Sequence, residues 1–305
     1  MLNMLKPEYL KAGSRIRIIS PAGFIAEDKV SPAVELLQQE GFEVILGRHV
    51  FTRSFQFAGT DTQRLSDLQE AFDDPLCKAV ICSRGGYGTI RFAGNIDFTG
   101  FRKHPKWLVG FSDITVLHSR LRAEGFCSIH GPMPAFYLSN GQPSQSFLEL
   151  MNLLRGKATP IHLPPHPLNR TGSVKARLTG GNLSLLYSLM GTAYETRSKG
   201  NILFIEDVSE YLYSIDRMMQ SLKLAGKLQE IGALAVGRFS ELKDNEAPFG
   251  QTAEEIIAHA VKDFPFPTCF GIPSGHEQIN LPLMLGAQYS LNVTGDGSVL
   301  QLNND

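Results

Sequence analysis

The sequence has few cysteines, almost no net charge and no long apolar run, and each of these shortages narrows its possible function. Its four cysteines form no CxxC pair, so we expect buried, reduced thiols and a reducing compartment. The formal net charge is -1 and no basic run occurs, which gives no indication of binding to nucleic acid or to an anionic membrane. No apolar stretch approaches the ~20 residues of a membrane span, and the N-terminus is too polar for a secretory signal. We therefore expect a cytoplasmic protein.

The 305 residues, 43% hydrophobic and 19% charged, can form the cores of two globular domains. Strand and helix patterns alternate along the first half, and the apolar run "CKAVICS" is typical of a central parallel strand covered on both faces. This alternation predicts a doubly wound parallel sheet. The patterns predict strands at 14–23, 42–47, 77–83 and 106–111, and helices at 28–41, 61–75 and 114–125.

The stretch 156–172 carries four prolines and shows neither helical nor alternating periodicity, so we interpret it as a linker. It separates an N-terminal domain, 1–155, from a C-terminal domain, 173–305. The latter has fewer clean βαβ units, a predicted helix in "GGNLSLLYSLMGT" and more short strands. This pattern predicts a smaller α+β domain with a barrel-like part.

Ser112 lies in "GFSD", where a predicted strand passes into a predicted helix. A serine at this place is a good helix cap. It is also where a nucleophile elbow exposes its side chain, with the next backbone N–H available as an oxyanion donor. The second glycine of the usual GxSxG pattern is replaced by Ile114. Taken alone, the motif leaves both interpretations open.

The segment "RGGYG", 84–88, directly follows the predicted central strand. Ligands of open α/β sheets bind beyond the carboxyl ends of the strands, and adjacent glycines let backbone N–H groups approach an anion closely. A plain tight turn is the alternative. GxGxxG is absent and no GK[ST] follows, so we expect no dinucleotide or other cofactor.

A serine nucleophile needs a base, and His276 is the first candidate because its Gly/Pro-rich loop, "GIPSGHEQ", resembles a site loop. His130, after a probable strand, is the second choice. His118 lies one helical turn too far along to point back at Ser112. The histidines at 162 and 166 fall in the predicted linker.

Glu206 and Asp207 end the hydrophobic strand "NILFIED", where an acid could orient the base or merely be solvated. Glu206 is preferred because it continues the inward alternation of that strand, and Glu210 is held in reserve. "GHEQ" is not the zinc motif HExxH and no other ligand cluster occurs, so we expect no metal site.

Together these segments resemble one family, the LD-carboxypeptidases (muramoyltetrapeptide carboxypeptidases), over nearly the whole chain. The blocks that match the motifs of the family, in order, are "SPAG", "FAGTDTQRLSDLQEAF", "SRGGYGTIR", "GFSDIT", "HGPM", "GGNLSLLYSLMGT", "ILFIEDVSEYLYSIDRMMQSL" and "GHEQINLPLMLGA".

The resemblance implies a Rossmann-like N-terminal domain with the nucleophile Ser112, and a C-terminal domain with Glu206 and His276 as the acid and base of the triad. It implies that the backbone amides of Gly86 and Asp113 form the oxyanion hole, so that the amide of Asp113, and not its carboxylate, is the functional group. The site would then close across the interface between the domains.

The implied activity is cytoplasmic peptidoglycan recycling by a serine carboxypeptidase, usually a homodimer. Such an enzyme hydrolyses the L,D bond between diaminopimelate and the terminal D-alanine of murein tetrapeptides. A carboxypeptidase must also hold the terminal carboxylate, and Arg84 is the cation nearest in sequence to "GGYG". Alternatively, Arg84 is a surface arginine paired with an acid.

Three other functions remain possible from the sequence. A sister branch of the family hydrolyses microcin-type peptidyl-nucleotide antibiotics with the same triad. A non-catalytic two-domain peptide-binding protein would have a similar cleft, although no signal peptide is evident. A glutamine-amidotransferase-like enzyme would need a cysteine where this chain has Ser112.

Overall fold

The alternating strands and helices of the sequence form two separate compact units. A computed structural model describes residues 4–303. The first unit extends to Ala158 and also includes Leu281–Met284, while the second consists of Thr159–Asn280 and the chain from Leu285 onward. No helix in the described part of the chain is both long enough and apolar enough to cross a bilayer.

The strands, in chain order, are β1 Arg15–Ile19, β2 Glu43–Leu46, β3 Cys77–Cys82, β4 Trp107–Gly110, β5 Ser128–His130, β6 Leu138–Ser139, β7 Gln142–Pro143, β8 Ile161–Leu163, β9 Gly172–Asn182, β10 Ile202–Val208, β11 Ala233–Ser240, β12 Thr268–Cys269, β13 Leu283–Leu285, β14 Gln288–Thr294 and β15 Gly297–Leu302. The α-helices are α1 Ser31–Gln39, α2 Asp61–Asp73, α3 Thr99–Lys103, α4 Thr115–Ala123, α5 Gln145–Leu154, α6 Leu183–Ser188, α7 Leu212–Leu224, α8 Lys227–Glu230 and α9 Ala253–Ala260.

The sheet of the first unit has the order β13-β5-β4-β3-β1-β2, and the pairs from β2 to β5 are parallel. The direction of strand order reverses between β1 and β3, which makes this the switch point where ligands of open α/β sheets bind. The segments after β1 and β3 are "SPAG" and "SRGGYG". The fold therefore places the glycine-rich segment at the carboxyl ends of central strands, where a ligand is expected.

The second unit contains a mixed sheet of order β12-β11-β10-β9-β14-β15-β8. The strands β9 to β12 pair in parallel, whereas β9, β14, β15 and β8 pair antiparallel. Apolar side chains of β10 and β11 pack against α7 and α9 in one core, which includes Ile205, Met219 and Ile257. The register between β10 and β11 shifts between Ile205 and Asp207, so that β11 has one extra residue opposite Glu206.

The two sheets confirm the predicted fold class, a doubly wound parallel domain and a second α+β domain. The four cysteines are buried and form no disulfide, as expected. The predicted helix 28–41 is divided into a 3₁₀ turn, Glu27–Lys29, and α1, because Pro32 fits only the first turn of a helix.

Two other segments differ from the sequence prediction. In "GGNLSLLYSLMGT" the residues "GGN" belong to β9, and α6 begins only after Asn182, whose side chain accepts a hydrogen bond from Leu185 N. Within the predicted linker 156–172, β8 pairs antiparallel with β15 at the edge of the second sheet. Proline is tolerated on an edge strand, which explains how a proline-rich segment joins a sheet.

Candidate active site

Ser112 occupies a sharp turn between β4 and α4. Its φ angle is +64°, an unfavourable conformation for a residue other than glycine, and a 3₁₀ turn, Ser112–Ile114, leads from it into α4. Neither this turn nor α4 has a side-chain cap, so Ser112 does not act as the predicted helix cap. A strained serine on a strand-to-helix turn is the arrangement of a nucleophile elbow.

The segment "RGGYG" packs directly against this turn. A Cβ atom on Gly85 would lie 2.8 Å from Cβ and 3.0 Å from Oγ of Ser112, so only glycine fits there. The neighbouring Gly86 has φ +107°, and the carbonyl of Gly85 accepts a hydrogen bond from Gly23 N at 3.0 Å. The backbone after β3 is thereby held against both "SPAG" and the serine.

The carboxylate of Asp113 is completely buried and fastens the glycine-rich segment to the elbow. Its Oδ2 accepts a hydrogen bond from Thr89 N at 2.9 Å and lies 2.9 Å from the Thr89 hydroxyl, which also lies 2.8 Å from the Asp113 carbonyl oxygen. Burial raises the pKa of the Asp113 carboxyl, and the hydrogen bonds from Thr89 oppose that rise. The carboxylate of Asp113 therefore has a structural role, beside the oxyanion role predicted for the backbone amide of the same residue. The sequence alone does not indicate that Thr89, 24 residues earlier, is the partner of this carboxylate.

Two buried histidines support the strand that carries the serine. His118 in α4 bonds through Nε2 to the carbonyl of Gly110 and through Nδ1 to Ser128 Oγ, each at 2.9 Å. Burial lowers its pKa to about 4, so the ring is neutral and Nε2 donates. His130 in β5 is also fully buried, with its ring against those of Phe111 and His118. These two rings pack within the core of the first unit.

In the second unit, Glu206 and His276 form a hydrogen-bonded pair. Oε2 of Glu206 lies 2.7 Å from Nδ1 of His276, and the side chains are 0% and 15% exposed, respectively. Because a carboxylate accepts, Nδ1 carries the proton of a neutral ring and Nε2 is left with a lone pair. This is the arrangement of an oriented general base.

The loop that carries His276 is shaped by a glycine and a buried amide. Gly275 has φ +139°, and a Cβ atom on it would lie 3.2 Å from Glu206 Oε2 and 3.1 Å from the Arg238 carbonyl oxygen. The side-chain oxygen of Asn280 accepts hydrogen bonds from Gly275 N and from Ser274 Oγ. Asn280 therefore closes this loop, although no sequence pattern around it indicates this role.

Asp207 faces a different set of partners from Glu206. Its Oδ1 accepts from Asn182 Nδ2 and from the N–H of Val208, and its Oδ2 accepts from the N–H of Ser184 at the start of α6. Burial, and secondarily the neighbouring carboxylate of Glu206, raises the pKa of Asp207 to about 7. Glu210, the reserve acid, accepts a hydrogen bond from Lys243 N through its backbone carbonyl.

Arg84 is exposed and donates from Nη1 to the carbonyl of Phe24 at 2.7 Å. This contact ties the side chain to the segment after "SPAG". Of the predicted site residues, Arg84, Gly86, Ser112 and Asp113 belong to the first unit, and Glu206 and His276 belong to the second. Within residues 4–303, no group of three His, Cys, Asp or Glu side chains could hold a metal ion.

Both halves of the chain match models of known domains. Residues 16–131 match the LD-carboxypeptidase N-terminal domain and residues 175–291 match the LD-carboxypeptidase C-terminal domain. A probable murein peptide carboxypeptidase of Bacillus subtilis is 33% identical over 306 residues, covering 97% of this chain and 94% of that protein. The murein tetrapeptide carboxypeptidase of Pseudomonas aeruginosa is 34% identical over 275 residues, 86% of this chain and 88% of that protein.

Solved structures show the same similarity. The muramoyltetrapeptide carboxypeptidase of Oxalobacter formigenes has a TM-score of 0.87 at 30% identity, covering 95% of this chain and 99% of that one. The microcin C7 self immunity protein MccF also has a TM-score of 0.87, covering 98% and 99%, but at 20% identity this similarity shows the fold alone.

Proposed function

This chain belongs to the LD-carboxypeptidase family, and we propose that it is a serine carboxypeptidase of peptidoglycan recycling. Its substrate would be a murein tetrapeptide or muropeptide, cleaved at the L,D bond between diaminopimelate and the terminal D-alanine. The observation that carries this proposal is Ser112 at φ +64° on a turn packed against the glycine-rich segment. A strained backbone at a serine is costly and is characteristic of nucleophiles.

In the proposed reaction, Oγ of Ser112 attacks the carbonyl carbon of the L,D bond while Nε2 of His276 accepts the hydroxyl proton. Glu206 keeps His276 in the required tautomer and stabilises the imidazolium that forms. The tetrahedral intermediate then expels D-alanine, whose amine takes the proton from His276. Water repeats the sequence on the acyl-enzyme and restores the serine.

The backbone N–H groups of Gly86 and Asp113 would stabilise the negative oxygen of the intermediate. The first domain would then supply the nucleophile and these donors, and the second would supply the acid and base. The chemistry requires no metal or cofactor. We further propose that Arg84 binds the terminal carboxylate of the substrate, and that the enzyme acts as a cytoplasmic homodimer.

The deciding experiment is incubation of the purified protein with a murein tetrapeptide, followed by detection of free D-alanine. A matched peptide that ends in L-alanine is the substrate control, and the Ser112→Ala variant is the protein control. Release of D-alanine by the wild type alone supports the proposal. Release from a microcin-type peptidyl-nucleotide instead would assign the chain to the antibiotic hydrolases. Failure of a fluorophosphonate to label Ser112 would indicate a binding protein.

A further inference from the structure

A completely buried arginine lies beneath the loops of the first unit that surround Ser112. Arg64 is in the first turn of α2, and its side chain is 0% exposed. Arginine is rarely buried unless its charge is paired, because removing an unpaired charge from water is strongly unfavourable. The partner is Asp61, one helical turn earlier, which also accepts two hydrogen bonds from Nε of the more exposed Arg91.

The guanidinium of Arg64 contacts both segments at the switch point of the sheet. Its Nη1 donates to the carbonyl of Pro21 in "SPAG" at 2.8 Å. The same nitrogen would lie 2.5 Å from a Cβ atom on Gly88, so the backbone of "RGGYG" rests directly on it. The rings of Phe57 and Phe92 lie 4.9 Å and 5.3 Å from its central carbon and complete the enclosure.

A short path leads from this guanidinium to the elbow. Gly88 precedes Thr89, and Thr89 is the residue bonded to the buried carboxylate of Asp113, next to Ser112. Asp113 and Arg64 also attract each other electrostatically. The arginine therefore contacts the glycine-rich segment on one side while Asp113 holds the same segment on the other.

We propose that Arg64 is a positioning residue that sets the distance between the "RGGYG" amides and Ser112, with Asp61 fixing its orientation. This inference rests on the proposed function, since it assigns to Arg64 the alignment of the oxyanion donors. Arg64 contacts no reacting atom in this scheme. A displacement of about 1 Å in such a site lowers turnover by about 100-fold.

The test compares Arg64→Met and Arg64→Lys with the matched variants Arg17→Met and Arg17→Lys. Arg17, on β1, is a largely buried arginine of the same unit and is paired with Glu70 and Asp74. We expect Arg64→Met to lower kcat, and the rate at which a fluorophosphonate labels Ser112, by about 100-fold. KM should change little, and Arg64→Lys should recover part of the loss. The Arg17 variants should lose stability but keep both rates when equal amounts of folded protein are compared.

Asp61→Asn provides a second, milder variant in case Arg64→Met does not fold. It should lower kcat and the labelling rate by about 3- to 10-fold, because it weakens one charged hydrogen bond. Equal rates for the folded Arg64 and Arg17 variants would overturn the inference. If the wild type is labelled at Ser112 but releases no D-alanine, the proposed substrate fails and the labelling rates still decide the role of Arg64. If the wild type is not labelled at Ser112, the nucleophile and its positioning residue both fail.

Discussion

Oε2 of Glu206 lies 2.7 Å from Nδ1 of His276, although 70 positions separate the two residues. The acid is buried at the end of β10, and the histidine lies on a loop whose shape depends on Gly275 and Asn280. Because the carboxylate fixes the proton on Nδ1, Nε2 is the atom left to accept a proton. The proposed catalytic base is therefore paired with a buried carboxylate of its own unit.

The first prediction compares two histidines. His276→Ala should reduce the release of D-alanine by about 10⁴-fold or more, as for other triads. His130→Ala should destabilise the first unit, because it opens a cavity in the core, but should leave kcat of the folded protein nearly unchanged. Steady-state assays at matched concentrations of folded protein check this. If His130→Ala were the more damaging change, the base would be assigned to the wrong histidine.

The second prediction concerns the strained serine. Ser112→Ala and Ser112→Gly should both abolish turnover, since each removes the nucleophile. Glycine adopts φ +64° without strain, so Ser112→Gly should be more stable than Ser112→Ala by about 1 kcal/mol. Urea unfolding of the two variants, followed by the fluorescence of the chain's single tryptophan, Trp107 on β4, measures the difference. Residual turnover near the wild-type level in either variant would contradict the proposed mechanism.

The third prediction tests the close packing at Gly275. Gly275→Ala places a methyl group 3.2 Å from Glu206 Oε2, which should displace the pair with His276 and lower kcat by about 100-fold. Gly271→Ala is the matched control, because it also has a positive φ but its Cβ would meet nothing within 4 Å. Both variants should be somewhat destabilised. Equal activities would show that the close contact at Gly275 is not what keeps the pair aligned.

The fourth prediction concerns stability at low pH. His118 has a pKa of about 4 in the folded chain, against 6.5 for an ordinary histidine. Below pH 6.5 the unfolded chain takes up a proton that the folded chain does not, so stability is lost as the pH falls toward 4. Between about pH 7.5 and about pH 5, this proton uptake by the unfolded chain lowers the free energy of unfolding by about 2 kcal/mol.

His118→Gln removes this titration and should flatten the pH dependence of urea unfolding by about that amount. The comparison uses the difference between variant and wild type at each pH, so that other titrating groups cancel. Parallel stability curves for the two proteins would mean that His118 is protonated in the folded state.

The fifth prediction separates two roles of Arg84. If it binds the terminal carboxylate, Arg84→Ala should lower kcat/KM for the tetrapeptide by about 10- to 100-fold. The loss should be much smaller for an analogue with an amidated C-terminus. The hydrogen bond to the Phe24 carbonyl gives a second possible role, as a brace for the neighbouring segment. Equal losses on both peptides would identify Arg84 as that brace.

Local patterns in the sequence were sufficient to predict the parallel sheet and the position of Ser112. The strand "CKAVICS" can be recognised from its own residues, because buried parallel strands are continuously apolar. The turn "GFSD" can be recognised because a predicted strand ends and a predicted helix begins there. Alternation along "NILFIED" likewise distinguished Glu206 from Asp207, and the structure brings Glu206 to His276 while Asp207 bonds Asn182.

Contacts between distant segments could not be predicted in this way. Nothing near Asp113 indicates that its carboxylate meets Thr89, and nothing near Arg64 indicates that it lies under Gly88. The start of α6 was misplaced because "GGN", which directly precedes the helical residues, pairs with β10 as the end of β9. In each case, a partner from another part of the chain determined the outcome.

The return of Leu281–Met284 to the first unit limits how this protein can be divided into fragments. The strand β13 forms one border of the sheet beside β5, yet it is encoded more than a hundred residues after the rest of that sheet. A fragment that stops at Ala158 would leave β5 with unpaired backbone groups, which promote aggregation. The first unit is thus compact in three dimensions but formed by two separate stretches of the chain. A soluble fragment of it would need the residues of β13 joined to 1–158.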